Sequence, residues 1–229
     1  MPTHSKLQNP ERLFILWVLL ALALLLPITL LLQGAFPIFT VVWLIVPLVA
    51  VLKTKDATRM GFRAVPWRQL AQATALNLGG YLLLTLLLEP WSHTYEQLLT
   101  LALSGSAPDT TFAWLLRFPR PQALTGMLFY SGLITLFAEE LFFRGWLLQL
   151  LQKRWGVTWA IILQSLAFVI PNLLAALALP SPQGWLYALL YTGLGIGAIG
   201  GYAAARTGSI WPSLISATLS NLIFVILVG

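Results

Sequence analysis

Residues 123–151 read ALTGMLFYSGLITLFAEELFFRGWLLQLL, an apolar run broken by one charged knot, Glu139-Glu140-Leu141-Phe142-Phe143-Arg144. The run is longer than the roughly 20 residues a helix needs to cross a bilayer. On insertion scales an ionised Asp, Lys or Arg at mid-bilayer costs roughly 2.5–3.5 kcal/mol, so two glutamates and an arginine there require mutual pairing or a polar cavity. The stretch therefore reads as a membrane helix that carries a site.

Working outward, comparable apolar runs recur, giving seven candidate spans at about 13–33, 36–52, 70–88, 123–151, 157–177, 184–205 and 209–228. Of 229 residues, 59% are hydrophobic and 9% charged, against about 25% charged in an ordinary soluble domain. The expected fold class is all-α: a polytopic integral membrane protein of about seven transmembrane helices. The first run is too long for a signal-peptide core, and Gln33-Gly34-Ala35-Phe36-Pro37 after it offers no cleavage pattern, so it reads as a retained helix. The simplest partition is a membrane hairpin with a basic loop over 1–60 and a core over 61–229.

The net charge of +6 sits between spans, which suits orientation in a bilayer and not nucleic-acid binding. Between the second and third spans, Lys53, Lys55, Arg59, Arg63 and Arg68 face a single acid, Asp56, so this loop is expected on the cytoplasmic side. Alternating from there puts Lys6, Arg12, Lys153, Arg154 and Arg206 on the same side, which makes ten of the thirteen basic residues cytoplasmic. The amino terminus is then inside and the carboxyl terminus outside. The segment from Trp91 to Gln122 reads as short helices in the outer interface. Trp43, Trp91, Trp146, Trp155, Trp159, Trp185 and Trp211 fall mostly near span ends, as interface anchoring favours. Gly193, Gly197 and Gly201 make successive small-xxx-small pairs and predict close helix packing.

In a helix, Glu140 and Arg144 stack on one face, which gives Glu140 a built-in counter-ion, while Glu139 stands about 100° round the axis. Desolvation disfavours the charged form of a carboxylate without a partner, which suits a proton acceptor near neutral pH. Glu139 is the better candidate base. The competing readings of the knot are an ion cluster that locks helices together and a proton or ion pathway. Pro171 predicts a kink in the fifth span near the depth of the carboxylates. Asn77, Gln164 and Ser220 could line a pocket there, although such residues more often make one interhelical hydrogen bond.

The string Glu-Glu-x-x-x-Arg at 139–144, followed by Gly145, resembles the first motif of the CPBP family, relatives of the type II CAAX prenyl endopeptidases. Further cues follow in order: Gly61-Phe62-Arg63 with Trp67 resembles the pre-core segment, Gln164-Ser165-Leu166-Ala167-Phe168 the start of motif two, and Gly208-Ser209-Ile210-Trp211-Pro212-Ser213 the lead into motif three. The resemblance implies a CPBP-type helix bundle and a peptidase in which the first glutamate activates water with a motif-two histidine. A histidine and an asparagine of motif three would stabilise the oxyanion. This chain departs at two places: Asn172 stands where motif two has histidine, and Ala217 where motif three has histidine, while Asn221 keeps the motif-three asparagine. The two histidines, His4 and His93, fall in the amino-terminal tail and the outer loop.

Loss of a positioned acid or base costs roughly 10²–10⁴ in rate, and loss of an oxyanion donor roughly 10²–10³. The implied site of Glu139, Glu140, Arg144, Asn172 and Asn221 is therefore expected to be impaired. With no cysteine in the chain, there is no disulfide framework, thiolate metal site or cysteine nucleophile. A zinc site is not expected from Glu139, Glu140 and neutral amides. No in-span histidine or lysine can complete a serine dyad, and the Gly-x-Gly run at Gly195 to Gly197 is followed by Ala198 instead of the aspartate an aspartyl type needs. No cofactor is expected, and no imidazole-ligated pigment. The expected partners are the lipid bilayer and a membrane protein, in a bacterial plasma membrane or a photosynthetic membrane. The expected role is a binding or assembly factor that has lost the protease activity, with an active glutamic-type endopeptidase as the alternative.

Overall fold

The computed structural model describes residues 13–21, 23, 38–88, 118–176 and 182–228. Among them every regular element is helical. We label the helices α1 (residues 13–21), α2 (Ile38–Thr54), α3 (Trp67–Leu87), α4 (residues 120–155), α5 (residues 157–176), α6 (residues 182–207) and α7 (Trp211–Val228). The rest of the first apolar run and most of the Trp91–Gln122 connection lie outside the described residues.

Among the described residues, two helical stretches are long and apolar enough to cross a membrane, Trp67–Leu87 and the 51 residues of Arg120–Ile170, and the shorter apolar helices Phe39–Thr54 and Trp211–Leu227 accompany them. Their side chains are distributed inside out relative to a soluble protein. On α3, Leu76, Leu83 and Leu86 are 78%, 57% and 71% exposed, while Glu140, Arg144, Gln164, Ser213 and Ser216 are buried. Water would penalise the outer leucines, whereas a hydrocarbon solvent penalises only polar groups left facing it.

The long stretch is two helices. Gly156, at φ 76° and ψ 175°, takes backbone angles closed to most side chains and separates α4 from α5. Residues 157–176, Pro171 included, stay in one helix. A proline removes one backbone donor without forcing non-helical angles, and membrane helices tolerate it. Within α4, widened π-helical turns run over Met127–Thr135 and Glu140–Leu147, with the short α segment Leu136–Glu139 between them. π-turns of this kind concentrate at functional sites.

The glycine stripe of α6 meets α5 along antiparallel registers. A Cβ on Gly197 would stand 3.1 Å from the Ser165 Cα, one on Gly201 would stand 2.7 Å from the Gln164 amide nitrogen, and one on Gly193 would overlap Val169. The predicted close packing is therefore present, and the missing side chains are what allow it. Across the same seam, the Gln164 side chain donates to the Gly197 carbonyl at 2.7 Å.

The basic loop is docked on the bundle. Asp56 caps the 3-10 turn Ala57–Met60, accepting from the Thr58 and Arg59 amides. Its Oδ1 also accepts from the Thr58 hydroxyl at 2.6 Å. That hydroxyl, with the two amides and the Arg59 charge, holds the Asp56 pKa below its ordinary value. Phe62 then inserts among Phe14, Phe137 and Trp211, with ring centroids 5.5, 6.5 and 5.3 Å away. Gly61 accepts a hydrogen bond from the Ile210 amide at 3.0 Å, and Ser209 donates to the Arg63 carbonyl at 2.8 Å. The loop thereby ties the start of α7 to α4, where Gly145 leaves room for the Met60 carbonyl.

Candidate active site

The charged knot sits where α3, α4, α5, α6 and α7 converge. Glu140 and Arg144, one turn apart on α4, form an ion pair at 3.4 Å, and their side chains are 3% and 0% exposed. Arg144 also donates to the Ile196 carbonyl of α6 at 3.3 Å. Its guanidinium lies 4.0 Å from the ring centre of Phe168 on α5, a cation–π contact. A Cβ on Gly200 would lie 2.6 Å from the Ser213 hydroxyl and 3.1 Å from Arg144 Nε, so this glycine is what lets α6 close over the arginine. Held from four sides, Arg144 works as a fixed charge and cannot swing toward a substrate.

Glu139 is placed differently. It is half-buried, with Arg144 as its attracting charge and Glu140 as its repelling one. Among the described residues it makes no hydrogen bond and no ion pair. One carboxylate is thus ion-paired, as its spacing of four from Arg144 predicts, and the adjacent one has no such partner among the described residues.

Around Glu140 is a polar layer that sequence reasoning did not assemble. Tyr81 of α3 is 2% exposed and Ser213 of α7 fully buried. Tyr81 lies against Ser213 and Asn77, and Ser213 lies against Glu140 as well. None of these approaches reaches good hydrogen-bond geometry, which leaves Tyr81 Oη, Ser213 Oγ and Glu140 Oε2 buried without a partner. Ser213 was legible only as part of the string before motif three, and Tyr81 carried no signal beyond one hydroxyl in an apolar span. Asn77 donates to the Ser216 hydroxyl at 2.6 Å, and Gln164 is engaged with α6, so both make the interhelical bond that isolated polar residues usually make. Ser220 is half-buried on α7.

The positions where histidines are replaced lie on the neighbouring helices. Phe168 brings the start of motif two against Arg144 and, at 5.1 Å between centroids, against Phe143. Asn172 stands one turn further along α5, and its side chain is outside the described residues. Ala217 and Asn221, one turn apart on α7, are both half-buried. His4 and His93 lie outside the described residues.

Residues 121–223 match the family model described as type II CAAX prenyl endopeptidase Rce1-like. That segment, just under half of the chain, is similar to this family. It takes in Glu139, Glu140, Arg144, Phe168, Asn172, Ala217 and Asn221, and it begins well after Gly61-Phe62-Arg63, although the fold packs those loop residues onto it. No curated protein and no solved structure matches the chain. The Rce1-like family is membrane-embedded, in keeping with the apolar exterior of the bundle. The Rce1-like segment contains no histidine and no cysteine. Among the described residues no three His, Cys, Asp or Glu side chains gather. Glu139 alone offers an open carboxylate, a donor set that does not fit zinc, which takes three or four such ligands.

Proposed function

We propose that this CPBP-type membrane protein binds a membrane partner and has lost efficient proteolysis, serving as an assembly factor or subunit of a larger complex. The observation that carries the reading is the donor set beside Glu139. A water-activating carboxylate is present, but asparagine and alanine occupy the positions where the family has imidazoles. Asn172 can hydrogen-bond but cannot shuttle a proton. The retained Glu140–Arg144 pair then serves to hold α4, α5 and α6 together. The same reading has seven crossings, with the amino terminus on the cytoplasmic side and the carboxyl terminus opposite.

One observation favours a second reading, a working glutamic-type endopeptidase: Glu139 remains open and half-buried next to a fixed positive charge. A single experiment separates them. Tagged wild type and Glu139→Gln are purified in mild detergent, and both intact partners and truncated fragments are identified by mass spectrometry. A partner held equally by both supports binding without cleavage. Fragments found with wild type alone overturn it and make Glu139 a working base. A proton pathway through the knot would instead show as vesicle proton flux that Glu139→Gln abolishes.

A further inference from the structure

Away from the charged knot, a groove of about 500 Å³ opens between the start of α5 and the end of α6. Val157, Ile161 and Ile162 supply an apolar wall, and Thr158, Tyr202 and Arg206 supply polar groups. Arg206 is held in place: its Nε donates to the Tyr202 hydroxyl at 3.0 Å, and its guanidinium lies 5.2 Å from that ring's centre. Its two terminal nitrogens stay free of any carboxylate among the described residues. Other cations adjoin it. Arg63 reaches toward Gly208, two residues after Arg206, and the exposed Lys153 and Arg154 end α4 just before Gly156. Trp155 and Trp159 beside the groove are 49% and 59% exposed, and Arg154 stacks over Trp155 at 5.5 Å.

We propose that this groove holds one anionic phospholipid of the bilayer, its phosphodiester on Arg206 and Thr158 and its upper acyl chain along Val157, Ile161 and Ile162. The charge is of one sign, which selects an anionic head. The apolar wall has no use for a free phosphate, which selects a lipid. The exposed tryptophans put the groove at headgroup depth, where indoles prefer to sit. The volume lies within the range of small-molecule sites, roughly 300–1,000 Å³. The assignment depends on the membrane setting alone and stands whether or not Glu139 works as a base.

The test is native mass spectrometry of the full chain released from nanodiscs of phosphatidylglycerol or of phosphatidylcholine with identical acyl chains. One phosphatidylglycerol should be retained in preference to phosphatidylcholine, and Arg206→Ala should weaken retention about five-fold, the usual effect of one cation near an anionic surface. Thr158→Val should weaken it as well. Arg120→Ala, at the far end of α4, should leave it unchanged. Inorganic phosphate should not displace the lipid. Equal retention of the two lipids, no difference between Arg206→Ala and Arg120→Ala, or displacement by phosphate would each overturn the assignment.

Discussion

Removing Arg144 should destabilise the bundle far more than removing both members of its ion pair. The pair is 3.4 Å apart with side chains 0% and 3% exposed, and at an effective dielectric of about 20 that separation corresponds to about 5 kcal/mol of attraction. In Arg144→Met the charge on Glu140 loses its partner while staying buried, and the Ile196 carbonyl and Phe168 ring lose theirs. Breaking one side of a buried pair costs about 3–5 kcal/mol. At about 2–4 °C per kcal/mol for a chain of this size, the unfolding midpoint falls by roughly 6–20 °C. Replacing both as Glu140→Leu with Arg144→Met removes the orphaned charge, and such swaps in other proteins are often neutral or stabilising. The assay is thermal unfolding in one detergent, followed by intrinsic tryptophan fluorescence, with Glu140→Leu alone completing the double-mutant cycle. Additive losses, with no coupling between the two positions, would falsify the view that the buried charge of Glu140 depends on Arg144.

Gly197 of α6 and Gly79 of α3 contrast in what a side chain there would meet. Gly197→Ala pushes a methyl against Ser165 and should cost about 1–3 kcal/mol in the same assay, whereas Gly79, which faces open space, should gain about 0.5–1 kcal/mol as alanine through helix propensity. Gly145→Ala places its methyl on the Met60 carbonyl and should release the docked loop, read as faster tryptic cleavage between Lys53 and Arg63; unchanged cleavage would show that the loop is held elsewhere. The cap at Asp56 contributes most above its ordinary pKa of 3.8. Because its folded value is depressed, that contribution is lost as pH falls below 3.8 and through the lowered value. Asp56→Ala should therefore expose the loop to proteolysis at neutral pH, and a loop equally resistant in both proteins would contradict the capping role.

Hydrophobic periodicity and local spacing determined much of this protein in advance. Among the described residues the apolar runs from the second onward delimit helices to within a few residues, because exclusion of water from a span is a property of consecutive side chains. Glu140 and Arg144 were legible as a pair because one helical turn brings them together without help from the rest of the chain. The stripe of Gly193, Gly197 and Gly201 likewise announces a close approach, though it does not say that α5 is the helix approached. What only the tertiary structure decided is which helices supply the remaining walls. Gly200 from α6, Phe168 from α5, Tyr81 from α3 and Ser213 from α7 meet at Arg144 although they are scattered over more than a hundred residues of chain. The docking of Phe62 and Met60 on α4 is equally invisible in the sequence. These contacts depend on how helices cross, and crossing is set by the collective fit of whole faces, which no short stretch of residues encodes.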